Sequence, residues 1–150
     1  MDSSGTHLWL VLAKAHRTLR AHAERSLEAI DMCLSDFAIL ELLLNRGPQP
    51  VHTIGQRVQL TSGSVTTAVD RLEERGLVVR SSDEADRRSR IVSLTPEGSK
   101  CIGEIFGHHR DAMDDAAGGL TKGERTTLIQ LVKKLGRSAE ERLKEQPSNE

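Results

Sequence analysis

Cysteine, long apolar runs and net charge are all scarce in this chain. Two cysteines among 150 residues, Cys33 and Cys101, are too few for a disulfide scaffold. No stretch approaches the roughly 18 consecutive apolar residues a membrane span needs. No charged n-region followed by an apolar h-region opens the chain, so neither membrane insertion nor secretion is expected, and the expected compartment is the cytoplasm. There is no glycine-rich phosphate loop, hydrolase elbow or paired His-Glu metalloprotease motif, so the chain is expected to be no enzyme and to carry no catalytic residues. His108 and His109 are adjacent and would diverge by about 100° on a helix. His7, His16, His22 and His52 have no compact ligand spacing, and Asp111, Asp114 and Asp115 beside His108 read as a solvated face. No metal and no cofactor are therefore expected.

The net charge is -1, so any nucleic-acid contact has to come from locally gathered positive charge. Arg87, Arg88 and Arg90 supply such a cluster. An apolar fraction of 37% and a charged fraction of 29% describe a globular chain of one ordinary domain.

Helical periodicity is strong at both ends. Leu8, Leu12, Ala15, Leu19 and Ala23 form a stripe from His7 to about Glu28. A second, largely apolar helix runs through Phe37, Ile39, Leu40, Leu42, Leu43 and Leu44, with Ser35 as its expected cap and Gly47-Pro48 as its stop. Val51 to Val58 makes a short helix. After a turn, Thr61 or Ser62 caps the next helix, which carries Val65, Ala68, Val69 and Leu72 inward and ends at Gly76. Leu77–Arg80 and Arg90–Leu94 read as two strands around a polar tip, Asp83-Glu84-Ala85-Asp86-Arg87-Arg88. Thr95-Pro96 opens a fifth helix lasting to Gly118-Gly119. Thr121 and Glu124, at capping-box spacing, open a sixth that is expected to bury Leu128, Leu131, Val132, Leu135, Ala139 and Leu143.

Helix, turn, helix, hairpin is the order of a winged helix-turn-helix. One helix can enter a major groove roughly 12 Å wide while a basic finger reaches the neighbouring minor groove. Ser62, Ser64, Thr66 and Thr67 offer hydroxyls and methyl groups to base edges, and Arg71 can reach a phosphate or a guanine. Arg87 or Arg88 suits a narrow minor groove. Asp86 is expected to shape the tip by pairing with a neighbouring arginine, and Arg90 to touch the backbone. The apolar stripes of the terminal helices require cover, either from a second subunit or by folding back on the winged unit. A protein-interaction or architectural module on the same scaffold is the rival to DNA reading, but it leaves the arginine tip and the hydroxyl-rich helix without a task.

The block Leu60-Thr61-Ser62-Gly63-Ser64-Val65-Thr66 with Asp70-Arg71-Leu72-Glu73-Glu74-Arg75-Gly76-Leu77-Val78 resembles the core of the multiple-antibiotic-resistance regulator (MarR) family. Asp86-Arg87-Arg88 and Val92-Ser93-Leu94-Thr95-Pro96-Glu97-Gly98 resemble its wing and strand-to-helix signatures. The resemblance implies a mainly α fold in the order helix, helix, short strand, helix, helix, strand, wing, strand, helix, helix. Residues 34–98 would be the DNA-binding unit within a single domain of residues 1–150, with dimerisation helices in residues 1–33 and 99–146. It also implies a homodimeric repressor on a pseudopalindromic operator of double-stranded DNA, relieved by a small aromatic or phenolic effector. Asp86 and Arg88 then take the wing positions, and Ser62 to Arg71 the recognition helix.

The wording Ser35-Asp36-Phe37-Ala38-Ile39-Leu40-Glu41 is most similar to the quinone- and catechol-responsive branch. Trp9, His16 and Phe37 are candidates for the effector pocket. The competing role for Trp9 and Phe37 is hydrophobic core, and for His16 a surface or interface position. Cys33 is a candidate for electrophile or redox sensing against the alternative of a small buried side chain, while Cys101 reads as structural. The peroxide-sensing branch uses a cysteine in the first helix supported by tyrosines; this chain has no tyrosine, and its cysteines lie elsewhere.

Overall fold

The computed structural model describes residues 3–82, 84–85 and 89–145. Its elements are α1 (Gly5–Glu28), α2 (Leu34–Arg46), β1 (Gln49–Pro50), α3 (Val51–Val58), α4 (Ser62–Glu74), β2 (Val78–Ser82), β3 (Arg90–Leu94), α5 (Pro96–Ala116) and α6 (Lys122–Glu145). The chain divides into two compact units, Met1–Asp114 and Asp115–Glu150. The architecture is the expected mainly α winged helix-turn-helix with long helices at either end.

Within the first unit one apolar core is assembled from short contributions. Leu27 ends α1, Ile39, Leu40 and Leu43 face inward from α2, and Ile54 from α3. Val65, Ala68, Val69 and Leu72 form the buried stripe of α4, closed by Val92 of β3 and Ile102 of α5. Spacings of three and four residues put these positions on single helix faces, so burial of each stripe supplies the stability that short helices lack on their own. The antiparallel sheet has the order β1-β3-β2, with Arg80 opposite Val92 and Ser82 opposite Arg90.

The caps explain most of the boundaries. Thr61 accepts the Ser64 amide at 3.2 Å and so starts α4. Gln59, in the left-handed region at φ 56°, ends α3 and makes the tight turn before it. Ser35 does not cap α2; the helix starts two residues earlier, with Cys33 at the cap in extended backbone and no side-chain cap hydrogen bond. Ser4 rather than a residue near His7 opens α1, by accepting the His7 amide. Thr121 and Glu124 form the reciprocal capping box at α6: each side chain takes the other's amide, at 3.3 and 2.8 Å.

A clasp joins the end of α4 to the start of α5. The Thr95 hydroxyl donates to the Gly76 carbonyl at 2.6 Å and accepts the Gly98 amide at 3.0 Å. Gly98 sits against the backbone of Leu77 so closely that a Cβ there would lie 1.9 Å from the Leu77 carbonyl oxygen. Gly76 has φ 69°, which closes the α4 terminus and lets the Leu77 amide reach back to Leu72.

The expected burial of α6 does not occur within the chain. None of its residues is buried, and Leu128, Leu131, Val132, Leu135 and Leu143 are all exposed. On α1, the run Leu8, Trp9, Leu10 and Val11 is likewise exposed. No helix among the described residues is long and apolar enough to cross a membrane.

Candidate nucleic-acid interface

The outer face of α4 carries Ser62, Ser64, Thr66 and Thr67, all exposed. Their hydroxyl hydrogens are used locally or free to turn. Thr66 donates to the Ser62 carbonyl and Thr67 to the Gly63 carbonyl, each at 3.0 Å, while the Ser64 oxygen accepts from Thr61 at 2.8 Å. This back-bonding restrains each threonine rotamer, and a threonine methyl is a group suited to apolar contact with a thymine methyl.

Arg71 lies elsewhere than expected. Its guanidinium grips the Asp36 carboxylate of α2 through two parallel bonds, at 2.9 and 2.5 Å, and its Nη2 also donates to Cys33 Sγ at 3.3 Å. Asp36 is only 1% exposed. The hydrogen bond to Asp36 raises the Arg71 pKa well above its ordinary value even though partial burial works against it. Arg71 thus anchors the recognition helix to α2 rather than reaching outward. The nearby Arg75 donates to the Asp31 carbonyl, tying the end of the same helix to the α1–α2 turn.

On the other side of α4, Arg80 of β2 bridges Asp70 at 2.6 Å and Glu73 at 2.7 Å. Partial burial opposes its charge, but the bonds to Asp70 and Glu73 prevail and raise its pKa. The Arg80 backbone amide, then its guanidinium, hold the Glu73 carboxylate below its usual range. Arg90 is oriented by Ser82 across the hairpin, its Nη1 donating at 2.6 Å. Asp86, Arg87 and Arg88 lie outside the described residues.

Between α3, α4 and the base of the wing is an open cleft of about 600 Å³ with Val51, Gly55 and Leu60 in its floor and Ser62, Thr66, Arg80 and Arg90 along its sides. A second cleft, beside the α1–α2 turn, brings Glu24, Glu28 and Asp31 together with Cys33.

Of the sensing candidates, Phe37 is in the core, its ring 4.3 Å from that of His109. Trp9 is not core within the chain: it is 66% exposed, and His16 is exposed on the same helix. Cys33 is exposed rather than buried, because it stands at the mouth of the α1–α2 turn; its Sγ lies 3.1 Å from Ser35 Oγ. Cys101 is half-buried against the core. The Ser26 oxygen lies 2.7 Å from both His109 Nδ1 and the Ala23 carbonyl, so one hydroxyl links the ring to the α1 backbone. Burial lowers the His109 pKa. Among the described residues no three His, Cys, Asp or Glu side chains are placed to hold a metal ion.

The partners of Asp36, Arg80 and His109 escaped the sequence reading. The signals were there for two of them. Asp36 shares the helix face of Leu40 and Leu43, and Arg80 alternates in phase with the buried Val78, so each is a charge in an inward position that demands a partner.

The sequence pattern of the MarR family matches residues 33–89. The chain is 30% identical to the HTH-type transcriptional regulator MhqR of Bacillus subtilis over 94% of its own length and 97% of that protein's. It is 38% identical to the uncharacterized HTH-type transcriptional regulator YkoM of the same organism, over 87% and 84% of the two chains. Among solved structures, BpsR of Bordetella bronchiseptica superimposes with a TM-score of 0.78 at 25% identity, covering 89% of this chain and 94% of that one. The hydroxyl-bearing helix, the hairpin beside it and these relationships lead to one conclusion: the chain belongs to the MarR family, and is a sequence-specific DNA-binding regulator of transcription and not an enzyme.

Proposed function

We propose that the chain works as a homodimeric repressor on a pseudopalindromic operator and is released by a small phenolic or quinone-like effector, or by modification of Cys33. The observation that carries the dimer is α6. It has 24 residues, none buried, yet Leu128, Leu131, Val132 and Leu135 repeat at helical spacing on its surface. Apolar stripes of this kind are stabilised by a self-complementary partner, and two-fold pairing of the winged units suits a two-fold operator. Base reading falls to Ser62, Ser64, Thr66 and Thr67, with Arg87, Arg88 and Arg90 on the wing and Asp86 shaping its tip.

Two observations favour effector control. The DNA binding of BpsR is regulated by 6-hydroxynicotinic acid, a hydroxylated aromatic. In this chain the exposed thiol of Cys33 touches Arg71 of α4, so an adduct there would displace a contact that holds the recognition helix. A ligand binding one arrangement of the two winged units better than the other would shift the population between them.

Fluorescence anisotropy on the chain's own upstream DNA against a scrambled duplex of equal length tests the reading. Selective binding that catechol, a benzoquinone or 6-hydroxynicotinate weakens is expected. Equal weak binding to both duplexes removes autoregulation, and selective binding indifferent to all three compounds removes the proposed effector class. Loss of the quinone response in Cys33→Ser would assign that response to the thiol.

A further inference from the structure

If α4 enters a major groove and the β2–β3 hairpin the minor groove next to it, one sugar-phosphate strand must pass between them, because that strand is the boundary between the two grooves. Among the described residues, an open cleft of about 600 Å³ lies between α4 and the base of the wing, where such a strand would pass. Its composition fits a polyanion. His52 and Gln56 project from α3, Ser62 and Thr66 from α4, and Arg80 and Arg90 from the wing; no carboxylate lines it among the described residues. The cleft beside the α1–α2 turn, by contrast, sets three carboxylates, Glu24, Glu28 and Asp31, against one arginine, Arg20.

We propose that this cleft is the track of the strand that separates the two grooves, and that His52 and Gln56 are DNA-binding residues that hold its phosphates from the α3 side. This rests on reading α4 and the hairpin as the DNA-contacting pair. His52 and Gln56 are one helical turn apart and both exposed, so their donors share one face of α3 and meet successive positions along a strand. The apolar floor faces the deoxyribose edge, and Arg90 closes the wing side with its guanidinium already oriented by Ser82. Arg80 has a different part. By pairing with Asp70 and Glu73 its single positive charge offsets one of their two negative charges and ties both carboxylates to the wing base, which lessens their repulsion of the strand. Contacts of this type position the protein without reading bases, so they act on every sequence alike.

The test uses the full chain, a duplex that it selects from a random-sequence pool, and a scrambled duplex of equal length. His52→Ala with Gln56→Ala should weaken binding to both duplexes by a similar factor, roughly tenfold for the loss of charged hydrogen bonds. His52→Lys should tighten binding to both and steepen the dependence of log K on log salt by about 0.9 for each added phosphate contact, about 1.8 for two subunits. That gain cannot arise from misfolding. Replacing the phosphate between the major- and minor-groove contacts of each half-site by an uncharged methylphosphonate should abolish the difference between His52→Lys and the unaltered protein. If both variants bind as the unaltered protein does, the strand does not run through the cleft. A change confined to the selected duplex would make His52 and Gln56 base readers and overturn the track. A pool that yields no preferred sequence overturns the regulator reading, and the track with it.

Discussion

Arg71→Ala removes the partner of a carboxylate that has no other way to be solvated. Asp36 is 1% exposed and receives both bonds of the guanidinium fork. Breaking a fully buried pair from one side costs about 3–5 kcal/mol. The Arg71 side chain is 43% exposed, so water reaches the vacated edge and the expected loss falls to roughly 2–3 kcal/mol. Arg71→Lys keeps the charge but cannot form two parallel bonds and reach Cys33 as well, for an expected loss of about 1 kcal/mol. Replacing both partners by apolar residues, Asp36→Leu with Arg71→Met, should lie within about 1 kcal/mol of the unaltered protein, since nothing charged is then left buried. Urea unfolding at one fixed protein concentration measures these four proteins together with the single variants Asp36→Leu and Arg71→Met, the fixed concentration being required because association contributes to apparent stability. The reasoning fails if Arg71→Ala unfolds within about 0.5 kcal/mol of the unaltered protein, or if the double variant costs the sum of its single substitutions.

Three further outcomes follow from other parts of the structure. Gly98→Ala drives a methyl group into the Leu77 carbonyl, 1.9 Å away, and should destabilise by more than about 2 kcal/mol in the same assay; an unchanged midpoint would show that the α4–α5 clasp yields freely. Burial holds His109 below its ordinary value near 6.5, with His108 adding to the effect and Glu41 opposing it. The fold therefore favours the neutral ring, its contribution complete above that value and lost as pH falls through the lower folded one; His109→Gln should flatten the decline of Tm between roughly pH 7 and pH 5, and superimposable curves would acquit the histidine. Leu131→Asp, at a position 58% exposed on α6, should yield a monomer by analytical ultracentrifugation and lower affinity for a selected duplex more than about tenfold; a dimer of unchanged affinity would place the interface elsewhere.

The local signals in the chain were sufficient for the order of the six helices and the hairpin, while the short strand β1 was implied only by the family resemblance. Apolar residues at three- and four-residue spacing set the helices, Gly47 and Gly76 their ends, and Thr61, Thr95 and the Thr121–Glu124 pair their starts, because caps and periodicity act over a few neighbouring residues and are therefore written in contiguous sequence. The hydroxyl-bearing stripe of α4 was legible for the same reason. The destination of each long side chain was not. Arg71 has the spacing of an outward arginine, and only the approach of α2 turns it to Asp36, thirty-five positions away in the chain. The clamp of Arg80 on Asp70 and Glu73 needs the hairpin folded back against α4, and the bond between His109 and Ser26 needs α5 beside α1. Trp9 and the leucines of α6 carry the ordinary pattern of buried residues, yet they are exposed among the described residues. Periodicity states that a face must be covered; only tertiary structure decides what covers it, because a hydrophobic stripe specifies an area to be removed from water and not the identity of its partner.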